Sequence, residues 1–432
     1  MSDNDFVIVG GGQAAAQIAD ELRRRGCDKP VSLYTGEPLL PYQRPPLSKQ
    51  FLSGQYAPEW LLYRSAAFYE QRDIQVHTGK PVIAIHRDTS QIELADGSLH
   101  GYQKLALATG ARVRKLTVPG AEHAHYIRSF SDIEGIQARL GNAQRVTIVG
   151  GGFIGLEAAA SLRRRGYEVT LLVMQDRVLQ RLVAPEVSAA LTRMHAREGV
   201  TIVTGETVCG IEQRATGDFR VECESGNYVD ADILIAGIGV TPEVSLAQQA
   251  GLNVGDGIIV DQYAVSSDAN IVAAGDCTSH PSPLVGRRLR LETVQNAVEQ
   301  AKVAAASLCG ERIPYEQIPW VWSDQYQCRL QGVGQVAGYD QTLLRGDVDR
   351  LAFSVFYFRD QRLLGMHAIN SAADFAATRL LMNRRLAPSY AQLKDPAWRL
   401  QEAAQPSSGP SQVVRFDQRW PDYNPVSSGL TA

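Results

Sequence analysis

Two glycine-rich turns of one design mark where this chain can hold phosphate. Gly10-Gly11-Gly12-Gln13-Ala14-Ala15 follows Val7-Ile8-Val9, and Gly150-Gly151-Gly152-Phe153-Ile154-Gly155 follows Val146-Thr147-Ile148-Val149. In such a turn the first glycine permits the tight strand-to-helix reversal. The second lets backbone approach a pyrophosphate, and the third lets helix and strand pack closely. The helix N-terminus adds free N–H groups and about half a positive charge, which suit a diphosphate. Gly10, Gly12 and Ala15 take these places in the first copy, with alanine as the third member. Gly150, Gly152 and Gly155 take them in the second, with Ile154 in the same first turn. Two dinucleotides held by one chain imply electrons passed between them.

An acid about 20 residues beyond the turn accepts hydrogen bonds from a ribose. Glu37 lies just past the second strand of the first unit. In the second unit the expected position holds Val173, followed by Met174 and Gln175.

Each turn needs a strand before it and a helix after it. Residues 5–36 supply both: apolar Phe6-Val7-Ile8-Val9, a helix-like Ala14 to Arg25 ending at Gly26, then Val31-Ser32-Leu33-Tyr34. Residues 145–173 repeat the plan, with a helix-like Phe153 to Arg165 ending at Gly166 and a strand Val169 to Val173. The likeness extends to Leu22-Arg23-Arg24-Arg25-Gly26 and Leu162-Arg163-Arg164-Arg165-Gly166. Two copies mean two units of one architecture rather than a solenoid. Leu105 to Gly110, with Thr109 in its small-residue end, is a third kind of strand, and Ile233 to Gly239 is its counterpart. Ile271 to Asp276 is another strand, running into an acid, and a helix over Thr293 to Leu308 follows. From Pro319 the pattern changes to strands near Leu330 to Val336 and Leu351 to Phe358, then a helix Ala373 to Asn383. Residues 403–432 are rich in Pro, Ser, Gly and Gln and read as an extended tail.

The 432 residues suffice for about three domains. Lys+Arg total 43 against Asp+Glu 46, which argues against a nucleic-acid partner. No apolar run approaches the ~20 residues of a membrane span, and the first turn begins too early for a signal peptide. A cytoplasmic protein away from membranes is expected. Cys27, Cys209, Cys223, Cys277, Cys309 and Cys328 form no C-x-x-C pair and no metal-ligand spacing, so no metal is expected.

Longer strings carry a family resemblance. They are Leu40-Pro41-Tyr42-Gln43-Arg44-Pro45-Pro46-Leu47-Ser48-Lys49, Gly275-Asp276-Cys277, Arg290-Leu291-Glu292-Thr293-Val294-Gln295-Asn296-Ala297 and Trp320-Val321-Trp322-Ser323-Asp324-Gln325-Tyr326. With the two turns they resemble the FAD-containing, NAD(P)H-dependent ferredoxin reductases of bacterial oxygenase systems. The resemblance implies an α/β fold: two Rossmann-like dinucleotide-binding domains, for FAD and NAD(P), plus a small α+β C-terminal domain. Its parts would be residues 1–110 and 232–316 for FAD, 111–231 for NAD(P), 317–402 for the C-terminal domain and 403–432 for the tail.

The resemblance also implies roles. Gly10, Gly12 and Ala15 face the FAD pyrophosphate, and Glu37 the adenosine ribose. Arg44 and Lys49 are flavin-side basic residues, and Thr109 belongs to the same lining. Asp276 accepts from the ribityl chain, Val294 offers backbone near the ring, and Trp322 is an aromatic wall beside it. Gly150, Gly152, Ile154 and Gly155 hold NAD(P)H, with Gly239 and Glu243 on a second loop. Glu157 pairs with Lys49 near the flavin. The partner is an acidic iron–sulfur ferredoxin docking on a basic surface, for which Arg287, Arg288 and Arg290 are candidates. A monomer or homodimer is expected.

Pro45 to Lys49 lacks the cysteines that disulfide reductases and flavin peroxidases use there, which favours electron transfer to a protein. Two other readings stay open: an NADH oxidase or other acceptor reductase, and a redox-regulated nucleotide-binding protein without turnover. Relatives that prefer NADH carry Glu where Val173 stands, so weak discrimination between NADH and NADPH is expected.

Overall fold

The computed structural model describes residues 5–283, 285–404 and 414–415. Phe6–Val9 is buried along its whole length, as a strand covered on both faces must be. It lies at the centre of a five-stranded parallel sheet, between Lys104–Leu107 and Val31–Tyr34. Ile271–Ala273 and Ile74–His77 form the edges. The alanine-rich helices Gln13–Arg24 and Val294–Leu308 pack on one face through Ala15, Ala19, Ala301 and Ala305. The small antiparallel sheet of Val82–His86, Gln91–Leu94 and Leu99–Gly101 covers the other through Ile85, Ile92 and Leu94.

A second parallel sheet repeats the design. Its order is Val200–Thr204, Glu168–Val173, Arg145–Val149, Ile233–Ala236 and His125–Tyr126. This corrects the boundary expected at residue 232. Ile233–Ala236 pairs with Arg145–Val149 and so belongs to the second unit. The chain crosses back only at Val240–Pro242, which pairs antiparallel with Ala111–Val113 on its outward passage.

The repeated arginines have a common structural cause. Arg23 donates to the carbonyls of Cys27 and of Arg72, the residue that ends helix Ala66–Gln71. Arg163 donates to those of Tyr167 and of Glu198, the residue that ends helix Pro185–Arg197. Each thus satisfies carbonyls that a helix end leaves open.

The third part is a five-stranded antiparallel sheet ordered Trp320–Gln325, Cys328–Gly334, Arg362–Ile369, Ala352–Arg359, Gln341–Asp347, backed by helix Ala372–Asn383. Of the expected tail, Val414–Arg415 pairs with Leu386–Ala387, while residues 405–413 and 416–432 lie outside the described part. One hydrophobic cluster draws on all three parts. Tyr42, Leu47 and Phe51 pack with Leu156 and Ala159 and with Leu330, Phe353 and Tyr357. No described helix is long and apolar enough to cross a membrane.

Candidate active site

Steric demand fixes the two glycine turns. Gly10 has φ +135°, and a Cβ there would stand 2.2 Å from the Ala108 carbonyl oxygen. Gly150 has φ +117°, and its Cβ would stand 2.4 Å from the Gly237 oxygen. Gly12 and Gly152 differ, because no backbone crowds them. At Gly152 a Cβ would meet nothing within 4 Å, and at Gly12 only the Arg44 Nε at 4.0 Å. Both head helices that have no side-chain cap and no acid in the first turn. Open space before uncapped N–H groups fits a dinucleotide pyrophosphate at each turn.

Cations stand beside the first turn. Arg44 Nη2 donates to Glu37 Oε1 at 2.5 Å, and its Nη1 donates to the Arg128 carbonyl at 2.5 Å. Arg128 Nη2 reaches Asp276 Oδ2 at 3.3 Å. The Tyr42 hydroxyl donates to Glu37 and accepts from the Phe130 amide. Burial, and then the neighbouring Arg44 charge, hold the Arg128 guanidinium below its ordinary value. Two arginines pressed together beside an open anion cradle have the chemistry an FAD pyrophosphate needs. Among the described residues, no group of His, Cys, Asp and Glu could hold a metal ion.

The second turn lacks a carboxylate at the two positions where a ribose partner is expected. Val173 is fully buried and packs against Gly151, where a Cβ would stand 2.8 Å from its Cγ1. Thr35 holds the same place under Gly11. The registers Val9↔Tyr34 and Val149↔Leu172 align the two units and make Gln175, not Val173, the counterpart of Glu37. Neither position offers a carboxylate. Arg177 spends its guanidinium on the Val183 and Gln180 carbonyls.

A largely buried ion pair joins the first two parts. Lys49 follows the short helix Pro45–Ser48 of the first part, and Glu157 sits on helix Phe153–Arg164 of the second. Lys49 Nζ is 2.7 Å from Glu157 Oε2. Glu157 is 3% exposed and also accepts from Ser48 Oγ and Ser323 Oγ, each at 2.6 Å. Three separate stretches of chain thus converge on one carboxylate, and removing a partner would leave a buried charge uncompensated. Ser48, Arg128 and Ser323 were not singled out from sequence. Ser48 and Ser323 lie inside quoted strings, whereas Arg128 stands alone between Ile127 and Ser129 with no local pattern to mark it.

Other expected residues fall elsewhere. Thr109 Oγ1 donates to the Glu243 carbonyl at 2.6 Å, so these two meet where the crossing strands pair. Ile154 is exposed at the second helix start, and Gly239 lies in open space with φ +106°. Val294 is the first residue of its helix, after the Thr293 cap. Strand alternation puts Trp322 beside Trp320, on the face opposite Ser323 and Gln325. In the Arg287–Arg290 run, Arg287 and Arg288 are exposed. Arg288 is turned onto the Val260 and Ser279 carbonyls, and Arg290 is paired with Asp256 and Glu292. Carboxylates thus offset the charge of Arg290, while Arg288 keeps its own.

Comparison with known proteins places this geometry. The family described as pyridine nucleotide-disulphide oxidoreductase matches residues 4–301, and the one described as reductase C-terminal matches residues 320–404. Rhodocoxin reductase of Rhodococcus erythropolis is 40% identical over 382 residues, covering 87% of this chain and 89% of its own. The ferredoxin–NAD(+) reductase component of the anthranilate 1,2-dioxygenase system of Burkholderia cepacia is 41% identical, covering 92% and 98%. The reductase in a covalent putidaredoxin reductase–putidaredoxin complex superimposes with a TM-score of 0.89 at 39% identity, covering 93% and 98%.

Proposed function

Since this chain belongs to the pyridine nucleotide-disulphide oxidoreductases, with the reductase C-terminal domain appended, we propose that its two turns and the junction between them form one electron path. The path runs from NAD(P)H through FAD to a small iron–sulfur ferredoxin that feeds an oxygenase. Bound FAD supplies a carrier that takes two electrons together and releases them singly, as a ferredoxin requires.

The residues divide the work. Gly10, Gly12 and Ala15, with Arg44 and Arg128, cradle the FAD pyrophosphate; Glu37 holds its ribose and Asp276 its ribityl chain. The Val294 backbone lies toward the ring. Gly150, Gly152, Ile154 and Gly155 take the NAD(P)H pyrophosphate, with Gly239 and Glu243 on the facing loop and Thr109 bracing that loop. Lys49 and Glu157 stand where the two cofactors meet. A fixed carboxylate favours the positive charge that a nicotinamide gains as its hydride leaves. Lys49 keeps that carboxylate aimed. Trp322 walls the outer side of the junction.

The carrying observation is the Glu157 carboxylate, gripped by three side chains from two other stretches of the chain, with no cysteine in Pro45–Lys49. That arrangement suits hydride acceptance followed by outward electron transfer, not thiol chemistry. The test is cytochrome c reduction with each nicotinamide, with and without candidate ferredoxins. Strong ferredoxin dependence is expected. Rapid hydrogen peroxide or water formation with no gain from any ferredoxin would favour an oxidase, and no turnover a binding protein.

A further inference from the structure

The buried polar groups do not stop at Glu157. Ser323 Oγ, which donates to Glu157 Oε1, also lies 3.0 Å from Gln325 Nε2. Gln325 Oε1 lies 2.9 Å from His195 Nε2. All four side chains are buried. His195 comes from helix Pro185–Arg197 of the second part, and Ser323 and Gln325 from the first strand of the third.

Proton counting gives this chain one direction. A carboxylate only accepts, and a serine hydroxyl has a single proton to give. That proton goes to Glu157, so Ser323 must accept from the Gln325 amide nitrogen. The Gln325 oxygen therefore faces His195 and accepts from its Nε2–H. The opposite amide orientation would demand two protons from one hydroxyl. His195 is thus the neutral Nε2–H tautomer, and its Nδ1 has no hydrogen-bond partner. Burial lowers its pKa and keeps it neutral. The Tyr326 ring closes over it edge-on, centroids 5.2 Å apart. Every donor points toward the carboxylate, and bonds aligned in this way polarise one another.

We propose that His195 and Gln325 are positioning residues, which act through Ser323 to fix the Glu157 carboxylate and so carry the seating of the C-terminal sheet to the point where hydride is transferred. This rests on the role given to Glu157 above. The relay touches no cofactor itself. Its effect is to hold one oxygen atom still.

The experiment is a double-mutant cycle on the flavin-loaded protein with Gln325→Leu and Glu157→Gln. It reads the flavin absorption band, the rate of flavin reduction by NADH in a single turnover, and the melting temperature. Each single variant is expected to slow reduction about tenfold or more and to shift the band, because small misplacements at a reacting centre are costly. Adding Gln325→Leu to Glu157→Gln is expected to change the rate by less than about twofold, the mark of coupled residues. His195→Phe should reproduce Gln325→Leu in direction, and it replaces that variant in the cycle if Gln325→Leu does not fold. Ser323→Thr, which keeps the hydroxyl, should retain the parent band. Rate losses that simply multiply, or a variant that lowers the melting temperature alone, would overturn the relay. A Glu157→Gln protein with the parent rate would instead overturn the role of Glu157.

Discussion

Arg128 and Asp276 meet at 3.3 Å across two separate segments of the chain, immediately beside the Arg44–Glu37 pair. The contact brings the start of the second unit onto the end of a first-sheet strand. Arg44 Nε stands 4.0 Å from where a Cβ on Gly12 would lie, and Arg128 Nη2 stands 3.2 Å from the same point on Gly110. Arg128→Met keeps length and loses charge. Removing a charge-assisted bond costs about 1.5–3 kcal/mol, so FAD should bind roughly ten- to a hundredfold more weakly. Flavin retained through gel filtration, and its dissociation constant by fluorescence, measure this. Unchanged retention would remove Arg128 from the cradle.

The two kinds of glycine should behave differently. Gly10→Ala forces a Cβ into the Ala108 carbonyl at a positive φ, and should lower the yield of folded, flavin-bearing protein. Gly152→Ala meets no protein atom, so the melting temperature and flavin content should stay at the parent level. Its added methyl should instead crowd the nicotinamide pyrophosphate and raise KM for NAD(P)H by about tenfold. Steady-state kinetics beside a thermal melt separates the two effects.

The missing carboxylate at Val173 and Gln175 predicts poor discrimination between nicotinamides. With Val173 buried and Gln175 in place of an acid, neither position puts a carboxylate against a 2′-phosphate. kcat/KM for NADH and NADPH should agree within about tenfold, a gap of about 1.4 kcal/mol. A preference of a thousandfold for either would show that a discriminating contact exists elsewhere.

Acid should destabilise the fold through two histidines. Burial pushes His280 and His367 down to about 4, with Arg288 adding to the effect on His280. The unfolded chain takes up these protons near the ordinary value of about 6.5. Between about 6.5 and about 4 it binds more protons than the folded chain, so stability falls as pH is lowered through that window. Urea unfolding at fixed flavin should give a plateau above about 6.5 from these groups and a decline below it. His367→Asn should make the decline shallower.

What the sequence made legible was local. A positive-φ glycine between an apolar strand and an alanine-rich helix is dictated by backbone sterics within a few residues, so both turns and their flanking elements stand where expected. The arginine repeat was visible too, but its cause was not. Arg23 and Arg163 reach carbonyls of helix ends that only folding brings near. The same limit hid Arg128, which no neighbour in sequence marks. It also misplaced the 232 boundary, because Ile233–Ala236 is assigned by its partner strand rather than its composition. The same limit applies to Arg290: its charge can be counted in the sequence, but its pairing with Asp256 and Glu292 cannot.

The central claim is tested most directly by anaerobic titration of the purified protein with NADH, followed by oxidised ferredoxin. The account predicts a yellow protein whose visible flavin band bleaches on addition of nicotinamide and returns as ferredoxin is added. A protein that takes up no flavin, or whose bound flavin keeps its colour with both NADH and NADPH, would contradict it.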